Sequence, residues 1–315
     1  MTVIQLREAK IEYDLRKATG KSRGTIVAVN GWTEDKEMWK GQKGLASTYD
    51  LLSFNPRGVG SSSGEIRREV YLDDSAQDML DLCIKLGIEK PHVLGHSMGA
   101  LIALKYTKTA SDKYYPGSLA LVTPVLGNPN DTVASGNFIF TMNGKLNALL
   151  NIYIKRKMHR NEWLGADAAL EMGLKILGFF GDLAYRIVGV PKDVREEFTK
   201  FFANARITGV EPRLSGFFGM RNEGPDIYMD LEEGRILLPQ KTLVVVGRQD
   251  IIVDCEGVLQ IVRSLERRLQ REIKTEVMHY SGHFPFSENP HLFNTILREF
   301  LDIESSPTNY STLRI

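Results

Sequence analysis

Hydrophobic positions recur with two periods along the chain. Near the start, Ile11, Tyr13 and Leu15 alternate with polar residues, the period-two pattern of a half-exposed strand. Short runs rich in β-branched and aliphatic residues follow at 25–29, 49–54, 92–94, 118–123, 242–246 and 275–280. Most carry apolar residues at odd and even positions alike, which suits strands buried on both faces of a parallel sheet. Between several of them the period lengthens to that of a helix. Residues 73–86 place Met79, Leu82, Cys83 and Leu86 on one stripe, and helical patterns also cover 100–106 and 256–269. A last helix has a readable start, with Asn289 as cap, Pro290 at the first helical position, then Leu292, Phe293, Ile296 and Phe300. Strands alternating with helices predict a doubly wound α/β sheet.

The alternation stops between about residues 127 and 233, and strands resume at Thr242. That stretch has a helical pattern and holds nine of the 14 phenylalanines: Phe138, Phe140, Phe179, Phe180, Phe198, Phe201, Phe202, Phe217 and Phe218. An inserted lid gives this pattern. The expected organisation is therefore a core of residues 1–127 and 234–315, with a helical lid over 128–233. The polar tail 305–315 is expected to be poorly ordered.

Composition narrows the function. With 40 basic and 39 acidic side chains the formal net charge is +1, so no general attraction for nucleic acid exists. Two cysteines, Cys83 and Cys255, exclude a disulfide framework, and the scattered histidines have no metal-ligand spacing. The first twenty residues are charged throughout and no apolar run reaches a membrane-spanning length. A cytoplasmic protein without stable membrane insertion is expected. The basic stretch 149–160 reads as the solvent face of a lid helix. Gly58-Val59-Gly60 lacks the third glycine of a dinucleotide loop, since Ser63 stands there.

The strongest local signal is Gly95-His96-Ser97-Met98-Gly99. It matches G-x-S-x-G, a sharp strand-to-helix turn that projects a serine hydroxyl. Side chains two residues to either side of the serine would collide with the neighbouring strand and helix, hence the glycines. A strand leads in at 91–94 and a helix leads out at 100–104. A nucleophilic serine needs a base, and the base an orienting carboxylate. Of six histidines, His283 in Ser281-Gly282-His283-Phe284-Pro285 follows the last strand, where a loop can return it to the elbow. His279 is expected inside that strand, His96 points away from the serine, and His159 lies in a basic run. The acid is expected to be Asp250 in Gly247-Arg248-Gln249-Asp250, with Asp254 as a rival that could instead cap the next helix. The oxyanion donors are expected to be the backbone N–H groups of Met98 and of Trp32, in Asn30-Gly31-Trp32-Thr33.

Together these segments resemble the α/β-hydrolase fold superfamily, in its lidded, esterase- or lipase-like form. The resemblance rests on Asn30-Gly31-Trp32, on residues 57–62 (Arg-Gly-Val-Gly-Ser-Ser), on 95–99, on 247–250 and on Gly282-His283-Phe284-Pro285 with Glu288-Asn289-Pro290. It implies an eight-stranded, mostly parallel sheet and a Ser97, Asp250, His283 site in that chain order. Two positions depart from the family pattern: Asn30 stands where histidine is usual, and Asn55 where aspartate is usual. The implied activity is hydrolysis of an ester-like or thioester-like bond in a small, largely apolar acyl substrate, with no cofactor or metal required. Acyl transfer, carbon–carbon bond hydrolysis and ligand reception in a lidded pocket use the same scaffold and stay open at this stage, as does the oligomeric state.

Overall fold

A computed structural model describes residues 2–126, 209–250 and 252–302, together with Ala168, Lys192, Arg195 and Glu196. The expected lid therefore lies mostly outside the described residues, as does the tail from 305 onward. Among the described residues nine strands are present: β1 (Thr2–Gln5), β2 (Ala9–Arg16), β3 (Thr25–Val29), β4 (Asp50–Phe54), β5 (Ser63–Gly64), β6 (His92–His96), β7 (Ser118–Val122), β8 (Thr242–Gly247) and β9 (Lys274–Met278). The α-helices with described bounds are α1 (Tyr71–Leu86), α2 (Met98–Thr109), α3 (Val210–Glu232), α4 (Cys255–Leu269), α5 (Pro285–Glu288) and α6 (Pro290–Asp302).

One sheet contains all the strands in the order β1-β2-β4-β3-β6-β7-β8-β9, with the two-residue β5 beside β2. The pairs β1–β2 and β2–β4 are antiparallel, and every pair from β4 onward to β9 is parallel. This is the α/β-hydrolase sheet. Strands β4, β7 and β8 are buried along their whole length, which explains why they carry apolar residues on both faces, with Ser53 a buried polar exception in β4. In β2, Ile11 is buried while Lys10, Asp14 and Arg16 face solvent. The alternation breaks at buried Glu12, whose carboxylate accepts from Ser61 N, from Asn55 Nδ2 and from Lys36 Nζ. Asn55 thus ties the chain after β4 to Glu12, and its Oδ1 also accepts the Lys36 N–H.

Two readings of the sequence need correction. His279 is not in a strand: β9 ends at Met278, whose carbonyl accepts from both Arg248 N and Ser281 N, and this turn leaves Tyr280 exposed. Leu292 is exposed rather than part of the α6 stripe. The buried set is Phe293, Ile296, Leu297, Phe300 and Leu301, which keeps the i, i+3, i+4, i+7, i+8 spacing without it. The cap stands as expected, with Asn289 Oδ1 accepting Leu292 N at 3.2 Å.

The loop after β4 is locked onto α1 by a buried fork. Arg57 Nε and Nη2 donate to the two oxygens of Asp78, each at 2.7 Å, and Nη1 donates to the Glu65 carbonyl at 3.0 Å. Gly58 and Gly60 have φ of 81° and 57°, which glycine adopts without a Cβ clash. Arg57→Met should destabilise the protein by about 3–5 kcal/mol, because it leaves the Asp78 carboxylate buried and unpaired. Urea unfolding of the two proteins measures the difference, and a loss below about 1 kcal/mol would show that water reaches Asp78 instead.

Candidate active site

The five residues singled out in the sequence follow the C-terminal ends of β3, β6, β8 and β9, the edge where parallel α/β sheets bind ligands. Ser97 sits between β6 and α2 with φ 52° and ψ −115°, and its N–H donates to Val122 O at 2.9 Å. The flanking glycines are forced by space. A Cβ on Gly95 would stand 2.5 Å from Gly99 O, and one on Gly99 would run into Val29 O and lie 2.5 Å from Asn30 O. Three non-glycine residues with positive φ ring this edge: Thr33 (64°) after β3, Ser97 after β6 and Thr123 (40°) after β7. Each such conformation costs of order 1–3 kcal/mol, and such strain clusters at functional sites.

His283 and Asp250 meet Ser97 across the sheet edge. His283 Nε2 lies 3.1 Å from Ser97 Oγ, and Nδ1 lies 2.7 Å from Asp250 Oδ2. Both the imidazole and the carboxylate are buried. Asp250 is held from behind, since Oδ1 accepts Ile252 N at 2.7 Å and Val253 N at 3.0 Å. Asp254 goes elsewhere: it caps α4, with its side chain accepting Glu256 N at 3.2 Å. The loop carrying His283 is clamped by Glu288, which accepts from Gly282 N and Phe284 N. Close packing of β8 on that loop explains Gly247, where a Cβ would overlap Gly282 O.

The loop after β3, which carries Trp32, folds as a turn, with Glu34 N donating to Gly31 O. Asn30 is structural here: Nδ2 donates to Phe54 O and Oδ1 accepts from the Trp39 indole, each at 3.0 Å. The Trp32 indole donates to Arg213 O at 2.8 Å, and its ring packs on Phe217 with centroids 5.8 Å apart. These contacts seat α3 over the loop; a Cβ on Gly216 would lie 2.8 Å from the Trp32 ring and 3.1 Å from Met98 Sδ. Met98 opens α2, where the first N–H groups have no intrahelical acceptor and can serve an anion.

Four residues around the site were not singled out in the sequence for the contacts they make: Glu34, His96, Thr123 and Glu288. Glu288 was visible only as part of Glu288-Asn289-Pro290; the others contact residues far away in the chain. Neither cysteine competes as a nucleophile. Burial pushes the Cys83 thiol up to about 12, and burial also raises Cys255, against the lowering effect of Arg248. Among the described residues no group of three or more His, Cys, Asp or Glu could hold a metal ion, and no helix is long and apolar enough to cross a membrane.

Comparison with known proteins agrees with this architecture. A family model described as the alpha/beta hydrolase fold matches residues 24–132. The 3-oxoadipate enol-lactonase 1 of Acinetobacter baylyi is 38% identical over 80 residues, 25% of this chain and 29% of that protein. Among solved structures, an esterase from Exiguobacterium antarcticum superposes with a TM-score of 0.66 at 18% identity, covering 96% of this chain and 99% of the other. A bromoperoxidase from Bacillus anthracis gives 0.64 at 19% identity, covering 94% and 96%. The chain has the α/β-hydrolase fold. It spans 29% to 42% of the lengths of the curated relatives it matches.

Proposed function

We propose that the protein is a serine hydrolase acting on an ester-like or thioester-like bond of a small, largely apolar substrate. The observation that carries this reading is the placement of His283 between Ser97 Oγ and Asp250 Oδ2, at 3.1 and 2.7 Å. Ser97 Oγ attacks the carbonyl carbon as its proton passes to His283 Nε2. The carbonyl electrons move onto oxygen, which the N–H groups of Met98 and Trp32 receive. The intermediate collapses, the bond to the leaving group breaks, and His283 returns the proton to that group. Water, activated by His283, then cleaves the acyl-enzyme. Asp250 holds the Nδ1 proton and stabilises the imidazolium.

The reading extends to a lid over 128–233 that lines an apolar acyl pocket. Phe217 against Trp32 supports it, because this places a lid-stretch aromatic on the oxyanion loop. Turnover of p-nitrophenyl esters with acyl chains of about two to ten carbons tests both parts. Intermediate chains should exceed acetate in kcat/KM, with up to ~0.8 kcal/mol gained per buried CH₂. A flat profile would remove the apolar pocket. Binding of these esters without turnover would remove the hydrolase and leave a ligand receptor.

A further inference from the structure

One buried pair of side chains touches both the oxyanion loop and the backbone of the base. Glu34 Oε2 accepts the Gly31 N–H at 2.6 Å and lies 2.9 Å from His96 Nδ1. On its other side, His96 Nε2 lies 2.8 Å from the carbonyl oxygen of His283. Glu34 is 4% exposed and His96 is fully buried.

The atom types place the protons. A carbonyl oxygen can only accept, so His96 Nε2 carries a proton and donates it to His283 O. The contact between Nδ1 and the carboxyl oxygen then needs a second proton, on one atom or the other, since two lone pairs would repel. The same oxygen also takes the Gly31 N–H. The pair therefore holds one shared proton and makes one continuous connection from loop backbone to base backbone. It lies directly against the loop: a Cβ on Gly31 would run into Glu34 Oε2 and stand 2.8 Å from His96 Nδ1. Thr123 Oγ1 is a separate donor to His283 O at 3.0 Å, so the base loop keeps an anchor when His96 is replaced.

We propose that Glu34 and His96 are positioning residues, a proton-sharing strut that sets the spacing between the oxyanion donors near Trp32 and the base His283. This inference rests on the serine-hydrolase reading of the site. Oxyanion donors and base act together only while their separation is held, and a misplacement of about 1 Å can cost roughly 10²-fold in rate. Replacing Glu34 by glutamine keeps size but breaks the strut. One amide position can offer oxygen to Gly31 N–H or an N–H to a neutral His96 Nδ1, not both.

The test uses the full chain as wild type, Glu34→Gln, His96→Gln and the double variant. Intact sites are counted by fluorophosphonate titration, so kcat on p-nitrophenyl butyrate is expressed per reactive serine. Each single variant should lose roughly 10- to 100-fold in kcat per site with KM within about threefold. Affinity for a trifluoromethyl ketone, whose adduct carries an oxyanion, should fall by a similar factor. The double variant should be little worse than the weaker single, because one strut is lost once. Unchanged kcat per site in both singles, whatever their melting temperatures, overturns the strut and leaves the hydrolase reading intact. A wild type that is not labelled at Ser97 overturns both. If the variants do not fold, ring-¹⁵N histidine in the wild type decides. The strut requires a slowly exchanging Nε2–H on His96 coupled across to the His283 carbonyl, and a rapidly exchanging or absent Nε2 proton overturns it.

Discussion

Ser97→Ala should lower kcat on short p-nitrophenyl esters by roughly 10⁴-fold or more, with little change in melting temperature. The two parts of this outcome have different causes. Loss of rate follows from removing the Ser97 oxygen that His283 Nε2 faces at 3.1 Å, and with it the covalent route. Retention of the fold follows from the elbow itself. Its φ of 52° is imposed by the passage from β6 into α2 and by the glycines at 95 and 99, none of which the hydroxyl maintains. Alanine meets the same backbone strain as serine, so the strain cancels in the comparison. A fluorophosphonate should label wild type and not the variant, with the adduct mapping to Ser97 by peptide mass. An adduct on another serine with Ser97 untouched would move the nucleophile elsewhere.

What the sequence disclosed and what it hid divide along contact range. The elbow was readable because its signature is compact in sequence: Gly95 is crowded by Gly99 and Ala100 within the same turn, although Gly99 itself is crowded by Val29 and Asn30 of a distant segment. The central strands were readable because burial on both faces leaves apolar residues at odd and even positions alike. His283 and Asp250 were reachable through their positions after β9 and β8, since strand order carries them to one edge. The Glu34–His96 pair was not. Its partners are 62 residues apart, and the carbonyl it holds lies a further 187 residues along from His96. Nothing local in the sequence marks a glutamate that far from its histidine. Asn30 and Asn55 looked like departures from a pattern, and their side chains turn out to bind the Phe54 carbonyl, the Trp39 indole and the Lys36 N–H. The end of β9 was misplaced because residues 279 and 280 continue a strand-like composition. What stops the strand is the Met278 carbonyl, taken by Arg248 and Ser281.

Asp250→Asn should lower kcat by up to ~10⁴-fold while leaving the protein folded, and hydrogen-bond polarity gives the reason. Asp250 Oδ1 is committed to the N–H groups of Ile252 and Val253, so in the variant the amide oxygen must take that place. The amide NH₂ then faces His283 Nδ1, 2.7 Å from where the carboxylate oxygen stood. A donor there needs an acceptor, so Nδ1 gives up its proton and His283 adopts the tautomer with the proton on Nε2. That proton points at Ser97 Oγ, and the imidazole can no longer accept from the serine. Every polar atom stays paired, which is why stability should hold. The rival carboxylate separates cleanly. Asp254 only caps α4 through Glu256 N, so Asp254→Asn should change neither rate nor stability much, and Asp254→Ala should cost about 1 kcal/mol with kcat intact. Ester kinetics and thermal melts on the three variants read both properties at once. Near-normal turnover in Asp250→Asn, with turnover lost in Asp254→Asn, would exchange the roles of the two aspartates.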